Sequence, residues 1–264
     1  MAMNMSVPRK RFGQHFLIDQ TIIENIIALL SPEAHQHLIE IGPGQGALTL
    51  PVLKRMKHYD VIEIDRDLIP ILKERTSPYG ELDIHLADVL KFDFASLKKD
   101  ARLLRVFGNL PYNISTPLIF HLLTYANLIS DMLFMLQKEV AERLAAKANT
   151  PEYGRLSVMV QYHCQVELLL DVPAEAFYPP PRVESSMVKL TPFQKYPYEA
   201  IDYALFASIV KQAFGQRRKT LRNSLKKIMD EASWSQLQIR SDLRAENLTV
   251  QDFVKMSNVL SSVR

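Results

Sequence analysis

Short apolar runs alternate with amphipathic segments over the first half of the chain. Five of these runs have the length of buried strands, and they cover residues 38–41, 61–65, 82–86, 103–107 and 132–136. The intervening segments place apolar side chains at helical spacing, and residues 21–30 do so before the first run. Strands that alternate with helices predict a parallel α/β sheet with crossover helices.

The pattern changes after the fifth run. Residues 138–149 predict a helix of alternating charge, and residues 157–170 and 186–190 return to strand patterns. A proline-rich loop at 173–185 separates these two strand patterns. We therefore expect a doubly wound sheet that is closed by a hairpin.

A linker with two prolines follows at 191–199. Beyond it the chain has no proline and a single glycine, Gly215, and its apolar spacing is helical. This part predicts a small all-α domain. The expected division is therefore an α/β domain at 1–192 and a helical domain at 198–264.

Composition narrows the class of protein. A chain of 264 residues, 47% hydrophobic and 23% charged, is ordinary for a soluble globular protein of one or two domains. The single cysteine, Cys164, lies in a predicted strand at 158–164 and excludes an intramolecular disulfide and a cysteine zinc site. No signal-peptide core or membrane-length apolar run is present, so we expect a cytoplasmic protein with no membrane partner.

Positive charge is concentrated near the carboxyl end. The net charge is +3 overall, and the basic excess belongs to residues 198–264. A run there without acidic residues predicts phosphate contacts from Arg217, Arg218, Lys219, Arg222 and Lys226. We expect Arg218 and Arg222 to share one helix face and Leu221 and Leu225 to share a buried one. The alternative is a solvated charged helix. Residues 9–11 are a second basic candidate.

A glycine-rich turn follows the first predicted strand. Gly42, Gly44 and Gly46 form a G-x-G-x-G turn between that strand and a helix, which is typical of nucleotide-binding α/β folds. At the end of the second strand, Glu63 could accept hydrogen bonds from both hydroxyls of a ribose. Asp88, after the third strand, could accept one from an adenine amine. Their alternatives are a solvated strand end and a helix N-cap.

The fourth predicted strand leads into Asn109, Leu110, Pro111 and Tyr112. An exocyclic base amine is a weak nucleophile, and acceptors that draw its N–H groups out of the ring plane make it more reactive. The Asn109 oxygen and the Leu110 carbonyl, next to a proline without an N–H, are candidate acceptors. Tyr112 offers a face for an unstacked base. The alternative is a turn that ends a buried strand.

Five motifs in one order resemble the ribosomal RNA adenine dimethyltransferases, and specifically the bacterial small-subunit (16S) members. They are RFGQHFL at 11–17, EIGPGQG at 40–46, NLPYNIS at 109–115, FYPPPRVES at 177–185 and FGQRRKTLR at 214–222. The resemblance implies a class I methyltransferase (Rossmann-like) fold and S-adenosylmethionine as methyl donor. It also implies that 16S rRNA, with two adjacent adenosines near its 3′ end, is the substrate.

The resemblance adds roles for residues that the spacing alone does not explain. It implies that His15 and Leu17 close over the donor, with His15 near its methionine part, and that Asn109 also contacts the donor. It implies that Phe177 stacks on the target base opposite Tyr112; the alternative is a hydrophobic plug. His15 is a departure, because many members carry Asn there.

The sequence thus predicts a monomeric, metal-independent rRNA adenine-N6 dimethyltransferase. Two alternatives are also RNA-binding proteins: a large-subunit methyltransferase of the antibiotic-resistance type, and a ribosome-assembly factor that mainly binds RNA. A nicotinamide-dependent dehydrogenase is a third alternative. Its usual glycine spacing, G-x-G-x-x-G, is not the spacing found here.

Overall fold

Residues 14–216 and 218–263 are described by the computed structural model, except for the side chain of Val263. Their strands are β1 (Phe16–Leu17), β2 (His37–Ile41), β3 (His58–Glu63), β4 (Glu81–Leu86), β5 (Leu104–Asn109), β6 (Ile129–Gln137), β7 (Cys164–Val172), β8 (Phe177–Tyr178) and β9 (Ser185–Pro192). Their helices are α1 (Gln20–Leu30), α2 (Thr49–Met56), α3 (Leu68–Thr76), α4 (Ser115–Leu123), α5 (Lys138–Ala145), α6 (Arg155–His163), α7 (Tyr203–Phe214), α8 (Leu221–Ser224), α9 (Glu231–Gln236) and α10 (Val250–Val263).

Seven strands form one sheet in the order β4-β3-β2-β5-β6-β9-β7. The pairs from β4 to β6 are parallel, whereas β9 runs antiparallel to β6. All five predicted parallel strands are therefore present. Because parallel strands end at the same edge, the residues that follow β2, β3 and β5 lie close together.

A second, two-stranded sheet joins the start of the described chain to the proline-rich loop. Strands β1 and β8 pair antiparallel, with Phe16 opposite Tyr178 and Leu17 opposite Phe177. Residues that face each other in such a pair lie on the same face of the sheet. Leu17 and Phe177 are 5% and 2% exposed, whereas Tyr178 is 47% exposed. The small sheet thus has an inner face and an outer face.

A cluster of buried apolar side chains packs helices α1 and α2 against the main sheet. Helix α1 contributes Ile23, Ile26, Ile27 and Leu30, and α2 contributes Val52 and Leu53. Strands β2, β3, β5 and β6 supply the facing side chains, among them Leu38, Val61, Phe107 and Leu133. Removing this apolar surface from water is the main stabilising term for the sheet that positions the site.

One strand prediction is wrong. Residues 155–163 form helix α6, and β7 begins only at Cys164. The Gly154 N–H donates to Ser157 Oγ (3.0 Å), and that hydroxyl donates to the Arg143 carbonyl (2.6 Å), which fixes the start of the helix. Val158 and Tyr162, one helical turn apart, are both buried, and this burial outweighs the β preference of Val158 and Val160. Cys164 is buried, as expected, and burial raises the pKa of its thiol to about 12.

The chain packs as two compact units. Of the described residues, one unit contains 14–141 and 167–192, and the other contains 142–166, 193–216 and 218–263. The second unit therefore includes α6, in addition to the helices from α7 onward that the sequence predicts. No helix of the described residues is both long and apolar enough to cross a membrane.

Candidate active site

A cavity of about 250 Å³ opens where β2, β3, β4 and β5 end. Its lining comes from three parts of the chain: the start of the described residues, the strand ends with the turns after them, and the segment that follows β5. These residues are Gln14, Phe16, Ile41, Gly42, Gly44, Ile62, Glu63, Ile64, Leu68, Ala87, Asp88, Val89, Leu90, Pro111, Asn113 and Ile114. This is the edge at which α/β sheets bind ligands.

The glycine turn needs backbone that other residues rarely adopt. Gly42, Gly44 and Gly46 have φ values of +68°, +56° and +89°. A Cβ on Gly44 would also lie 3.3 Å from the Phe16 ring. Glycine at 44 therefore permits the left-handed turn and leaves the cavity open.

Glu63 is held at the end of β3 by the backbone. One carboxylate oxygen accepts from the N–H groups of Ile64 and Asp65, both at 2.8 Å, and the other accepts from Gly44 at 3.2 Å. The residue is 5% exposed, and desolvation by burial raises its pKa above the usual 4.5 although these hydrogen bonds oppose the shift. Glu63 is thus a fixed acceptor at the cavity wall.

Asp88 is a helix N-cap, which was the alternative to its predicted contact with an adenine amine. Its Oδ1 accepts from the Leu90 N–H at 3.0 Å and caps a short 3₁₀ turn at Val89–Lys91. Asp88 also lines the cavity. The cap therefore holds the carboxylate at the wall, and contact with a ligand amine stays a prediction.

A smaller cavity of about 50 Å³ adjoins the Asn109–Tyr112 segment. It is lined by Gln14, His15, Phe16, Asn109, Leu110, Pro111 and Tyr112. The Asn109 Nδ2 group donates to the His15 carbonyl at 3.0 Å. Because that bond uses the nitrogen, the amide oxygen is left to accept from another donor.

Tyr112 and His15 lie against each other beside this cavity. Their rings are 5.7 Å apart between centroids, with 23° between the planes. The Tyr112 hydroxyl shares a hydrogen bond with Ser185 Oγ (2.8 Å), and His15 Nδ1 donates to the Pro179 carbonyl (2.7 Å). Burial raises the pKa of Tyr112. Both rings are therefore held by the segment 179–185.

Leu17 and Phe177 occupy the hydrophobic core instead of the cavity surface. They are 5% and 2% exposed and belong to the same cluster as α1 and α2. In this conformation Phe177 has almost no surface to offer to a base, which matches the hydrophobic plug that was its alternative. Stacking of Phe177 on the target base stays a prediction.

Three contributors to the site were not predicted from the sequence. Phe16 lines both cavities, Gln14 donates to the Asp65 carboxylate at 3.1 Å, and Ser185 holds the Tyr112 hydroxyl. The site also requires glycine at position 108, because a Cβ there would lie 2.3 Å from the Ile41 carbonyl oxygen. The family motifs contain Gln14, Phe16 and Ser185, but their contacts depend on tertiary packing.

Known proteins resemble this chain over most of its length. The sequence profile of the family described as "Ribosomal RNA adenine dimethylase" matches residues 5–262. A "Ribosomal RNA small subunit methyltransferase A" from Chromohalobacter salexigens is 54% identical over 95% of this chain and 90% of its own. A protein of the same name from Chromobacterium violaceum is 52% identical over 98% of this chain and 97% of its own.

This chain belongs to the ribosomal RNA adenine dimethylase family. A solved dimethyladenosine transferase from Plasmodium falciparum has a TM-score of 0.75 and 27% identity over 92% of this chain and 96% of its own. A 23S rRNA methyltransferase, ErmE, has a TM-score of 0.72 at 22% identity over 93% and 99%, which supports the fold alone. The predicted class I methyltransferase fold is confirmed.

The larger cavity fits the methyl donor that a dimethylase uses. S-adenosylmethionine carries a ribose with two free hydroxyls and an adenine with one amine. Glu63 supplies a fixed carboxylate, Asp88 supplies a second one, and Gly44 keeps the turn free of a side chain. Among the described residues, no three His, Cys, Asp or Glu side chains gather as metal ligands would.

The basic run of this dimethylase is not one helix. Helix α8 contains only Leu221–Ser224, so Arg218 lies before it in a turn and does not share a helical face with Arg222. Arg217 lies outside the described residues. Arg222 pairs with Glu231 at the surface. The predicted burial of Leu221 and Leu225 is confirmed, as both are 0% exposed.

The lysines of the run gather at a polar cavity of about 530 Å³ in the second unit. Its lining comes from the end of α7, the turn after it and the segment around α8. These residues are Ser208, Lys211, Gln212, Gly215, Gln216, Lys219, Asn223, Ser224, Lys226 and Lys227. Four of them are lysines and none is acidic, so the cavity favours anions.

Proposed function

We propose that this enzyme transfers methyl groups from S-adenosylmethionine to the N6 amines of two adjacent adenosines near the 3′ end of 16S rRNA in the small ribosomal subunit, giving dimethyladenosines. It acts as a cytoplasmic monomer without a metal ion. The observation that supports this most strongly is the fixed amide of Asn109. Its nitrogen is bound to the His15 carbonyl, which leaves the oxygen available beside the Tyr112 ring.

The chain's own residues prepare the amine. The Asn109 oxygen and the Leu110 carbonyl accept its N–H groups and direct the nitrogen lone pair out of the ring plane. Tyr112 holds the unstacked base by its face. When bound, the donor supplies an activated methyl group on a sulfonium sulfur, so that no strong base is needed. The main contribution of the protein is alignment of the reacting atoms.

The donor is held at the neighbouring cavity. Glu63 accepts hydrogen bonds from the ribose, Asp88 accepts one from the adenine amine, and the turn with Gly42, Gly44 and Gly46 allows close approach of the backbone. Gln14 and Phe16 line both cavities. Donor and target base can therefore meet at the end of β5.

RNA affinity resides mainly in the second unit. Phosphate contacts dominate nucleic-acid affinity and come chiefly from lysine and arginine. Lys219 and Lys226, with Lys211 and Lys227, line the acid-free cavity and are the strongest candidates. Arg218 and Arg222 are exposed, but Arg222 already pairs with Glu231.

A labelling experiment tests the substrate. Undermethylated small subunits and undermethylated large subunits are incubated separately with the enzyme and radiolabelled S-adenosylmethionine. We expect label only in small-subunit rRNA, on two adjacent adenosines that are identified by nuclease digestion. Label in the large subunit would instead support the antibiotic-resistance type of enzyme. Subunit binding without label in either RNA would support a role limited to assembly.

A further inference from the structure

A cavity of about 510 Å³ lies wholly within the second unit and has no part in the function proposed above. We call it the α6 cavity. It is lined by the end of α5 and the loop after it, α6, the start of β7, the segment 193–198 and the start of α10. None of the described residues that line it is acidic. Its size is that of a small-molecule or base site, and its charge admits a neutral or anionic ligand.

Tyr153 brings a buried hydroxyl to the α6 cavity. The residue lines the cavity and is 1% exposed, and its hydroxyl makes no hydrogen bond to any of the described residues. Burial raises the pKa of Tyr153, so the hydroxyl keeps its proton and can donate it. A buried polar group without a partner costs free energy, which a hydrogen bond to a ligand would recover.

A glutamine amide supplies a fixed acceptor to the same cavity. The Gln161 Nε2 group donates to the carbonyls of Leu144 at 2.7 Å and Ala146 at 2.8 Å. Because both of its protons are used, the Oε1 atom is the part left for a ligand. Tyr153 and Gln161 thus offer a donor and an acceptor. Every nucleobase carries an N–H beside an acceptor atom on its Watson–Crick edge, so the pair fits the edge of a base.

An exposed ring and a cation stand where the α6 cavity meets solvent. Tyr198 lines the cavity and is 42% exposed, so its ring offers a face on which a base can stack. Lys147 also lines the cavity and is exposed. Its ammonium group can contact the phosphate of the same nucleotide.

The α6 cavity is connected to the lysine-lined cavity through one aromatic contact. The Tyr153 and Phe214 rings meet edge to face, with 6.1 Å between their centroids. Phe214 directly precedes Gly215 and Gln216, which line the lysine-lined cavity. An RNA strand whose phosphates lie at the lysines therefore passes close to the α6 cavity.

We propose that the α6 cavity binds an unstacked base of 16S rRNA other than the two target adenosines. The base stacks on Tyr198, and its edge bonds to Tyr153 and Gln161. The proposal rests on the proposed function, since it adds a second anchoring base to the same RNA substrate. A free nucleotide has the same chemistry, and the experiment separates the two sources.

Four variants divide the contacts of the α6 cavity. Tyr153→Phe removes only the hydroxyl and keeps the ring on Phe214. Tyr198→Ala removes the stacking face, whereas Tyr198→Phe keeps it. Ala148→Trp fills the cavity from a lining position. Tyr79→Ala, at an exposed tyrosine of the first unit, is the matched control.

We expect the variants to lose affinity for undermethylated small subunits, measured by filter binding. Tyr153→Phe should weaken it by about 3-fold to 10-fold, with a Tm equal to or above that of wild type, because the hydroxyl has no partner in the protein to lose. Tyr198→Ala should weaken it by at least about 5-fold. Tyr198→Phe and Tyr79→Ala should bind like wild type. Turnover at saturating subunit and donor affinity should not change, because the active site lies in the first unit.

Chemical probing of the rRNA locates the bound base. Reagents that modify the Watson–Crick edge of unpaired bases are applied to small subunits with and without enzyme. Wild type should protect at least one base besides the two target adenosines. Ala148→Trp should leave that base reactive, while the other protected bases stay protected.

Calorimetry of wild type and Ala148→Trp with each of the four nucleoside 5′-monophosphates tests the other source. If a monophosphate binds to wild type and Ala148→Trp abolishes this without changing subunit affinity, the occupant is a free nucleotide and the rRNA assignment is wrong. The proposal also fails if Tyr153→Phe and Tyr198→Ala bind subunits as tightly as wild type, or if Tyr153→Phe lowers the Tm along with the affinity, as a structural hydroxyl would. These results differ from failure of the proposed function, in which wild-type enzyme would not label small subunits.

Discussion

At Glu63, hydrogen bonds from three backbone N–H groups replace the water that the almost completely buried carboxylate has lost. Those groups belong to the glycine turn and to the residues directly after β3, so the turn and the strand end position one side chain together. Asn109 is held in the same way by a backbone carbonyl. At both positions backbone hydrogen bonds fix the side chain, and an oxygen keeps acceptor capacity: Oε2 of Glu63 accepts only one of these bonds, and Oδ1 of Asn109 accepts none of them.

Removing the Glu63 carboxylate should weaken donor binding. Hydrogen bonds to a charged group contribute about 1.5–3 kcal/mol, so Glu63→Ala should raise the Kd for S-adenosylmethionine by about 10-fold to 150-fold. Calorimetric titration measures this, and circular dichroism checks the fold. Glu33→Ala, at an exposed carboxylate, is the control. Unchanged affinity in folded Glu63→Ala would show that the ribose binds elsewhere.

Donor affinity should also depend on pH through Glu63. The charged carboxylate is the better acceptor for two hydroxyls, and burial raises the pKa of Glu63 above 4.5. Donor affinity should therefore be full well above that raised pKa and fall as the pH is lowered through it. The fall should begin at a higher pH than an ordinary carboxylate would give. In Glu63→Gln this fall should disappear, and its persistence would assign it to another group.

At the scale of elements, the parallel strands are the part that the sequence predicts best. Their apolar runs are short and separated by helical spacing, so local pattern and tertiary position agree. Helix α6 was missed because Val158 and Val160 favour strands locally, whereas the capping contacts of Gly154 and Ser157 with Arg143 come from packing. Phe177 shows the same limit, because the motif supplies an aromatic ring but only the register with Leu17 directs it inward.

A buried carboxyl group on β2, which is hydrogen-bonded to β3, makes the free energy of unfolding depend on pH. Glu40 accepts from the Tyr59 hydroxyl at 2.8 Å, and burial raises its pKa to about 7 from 4.5. The folded state therefore binds its proton more tightly, so this contribution to stability is full below pH 4.5 and is lost as the pH rises to about 7. The loss is on the order of 3 kcal/mol.

Glu40→Gln should remove this dependence. The amide oxygen can still accept from Tyr59, and no charge forms above neutral pH. We expect a free energy of unfolding that changes less between pH 5 and 8 and is higher than that of wild type at the upper end. Urea unfolding at several pH values measures it. Equal pH profiles for the two proteins would mean that Glu40 stays ionised in the folded state.

At the scale of the whole molecule, the proposed function assigns catalysis and RNA affinity to different units. The donor cavity and Asn109 lie in the first unit, and the lysine-lined cavity lies in the second. The sequence predicted the basic excess of the second unit from composition. It did not predict which residues cluster, because residues 215–216 and 218–220 are not helical, and Lys219 lines the same cavity as Lys211.

Charge reversal at this cavity should weaken RNA binding and leave the affinity for the methyl donor unchanged. Lys219→Glu with Lys226→Glu should weaken small-subunit binding and reduce the slope of log affinity against log salt, because released counterions track phosphate contacts. Donor affinity should stay the same. Lys195→Glu with Lys255→Glu changes the net charge equally at exposed positions of the same unit and is the matched control. If both double variants lost the same amount of small-subunit affinity, the effect would come from net charge in general and not from a specific contact at the cavity.

The most direct measurement is single-turnover methylation of undermethylated small subunits by Asn109→Ala. The account predicts a rate at least about 100-fold below wild type, since misplacement of a reacting group costs about that much. Donor and subunit affinities should stay within about 3-fold, because Glu63 and the lysines are unchanged. Asn127→Ala, at an exposed site, should match wild type. Wild-type turnover in Asn109→Ala at saturating donor and subunit would contradict the assignment of Asn109 as the residue that orients the amine.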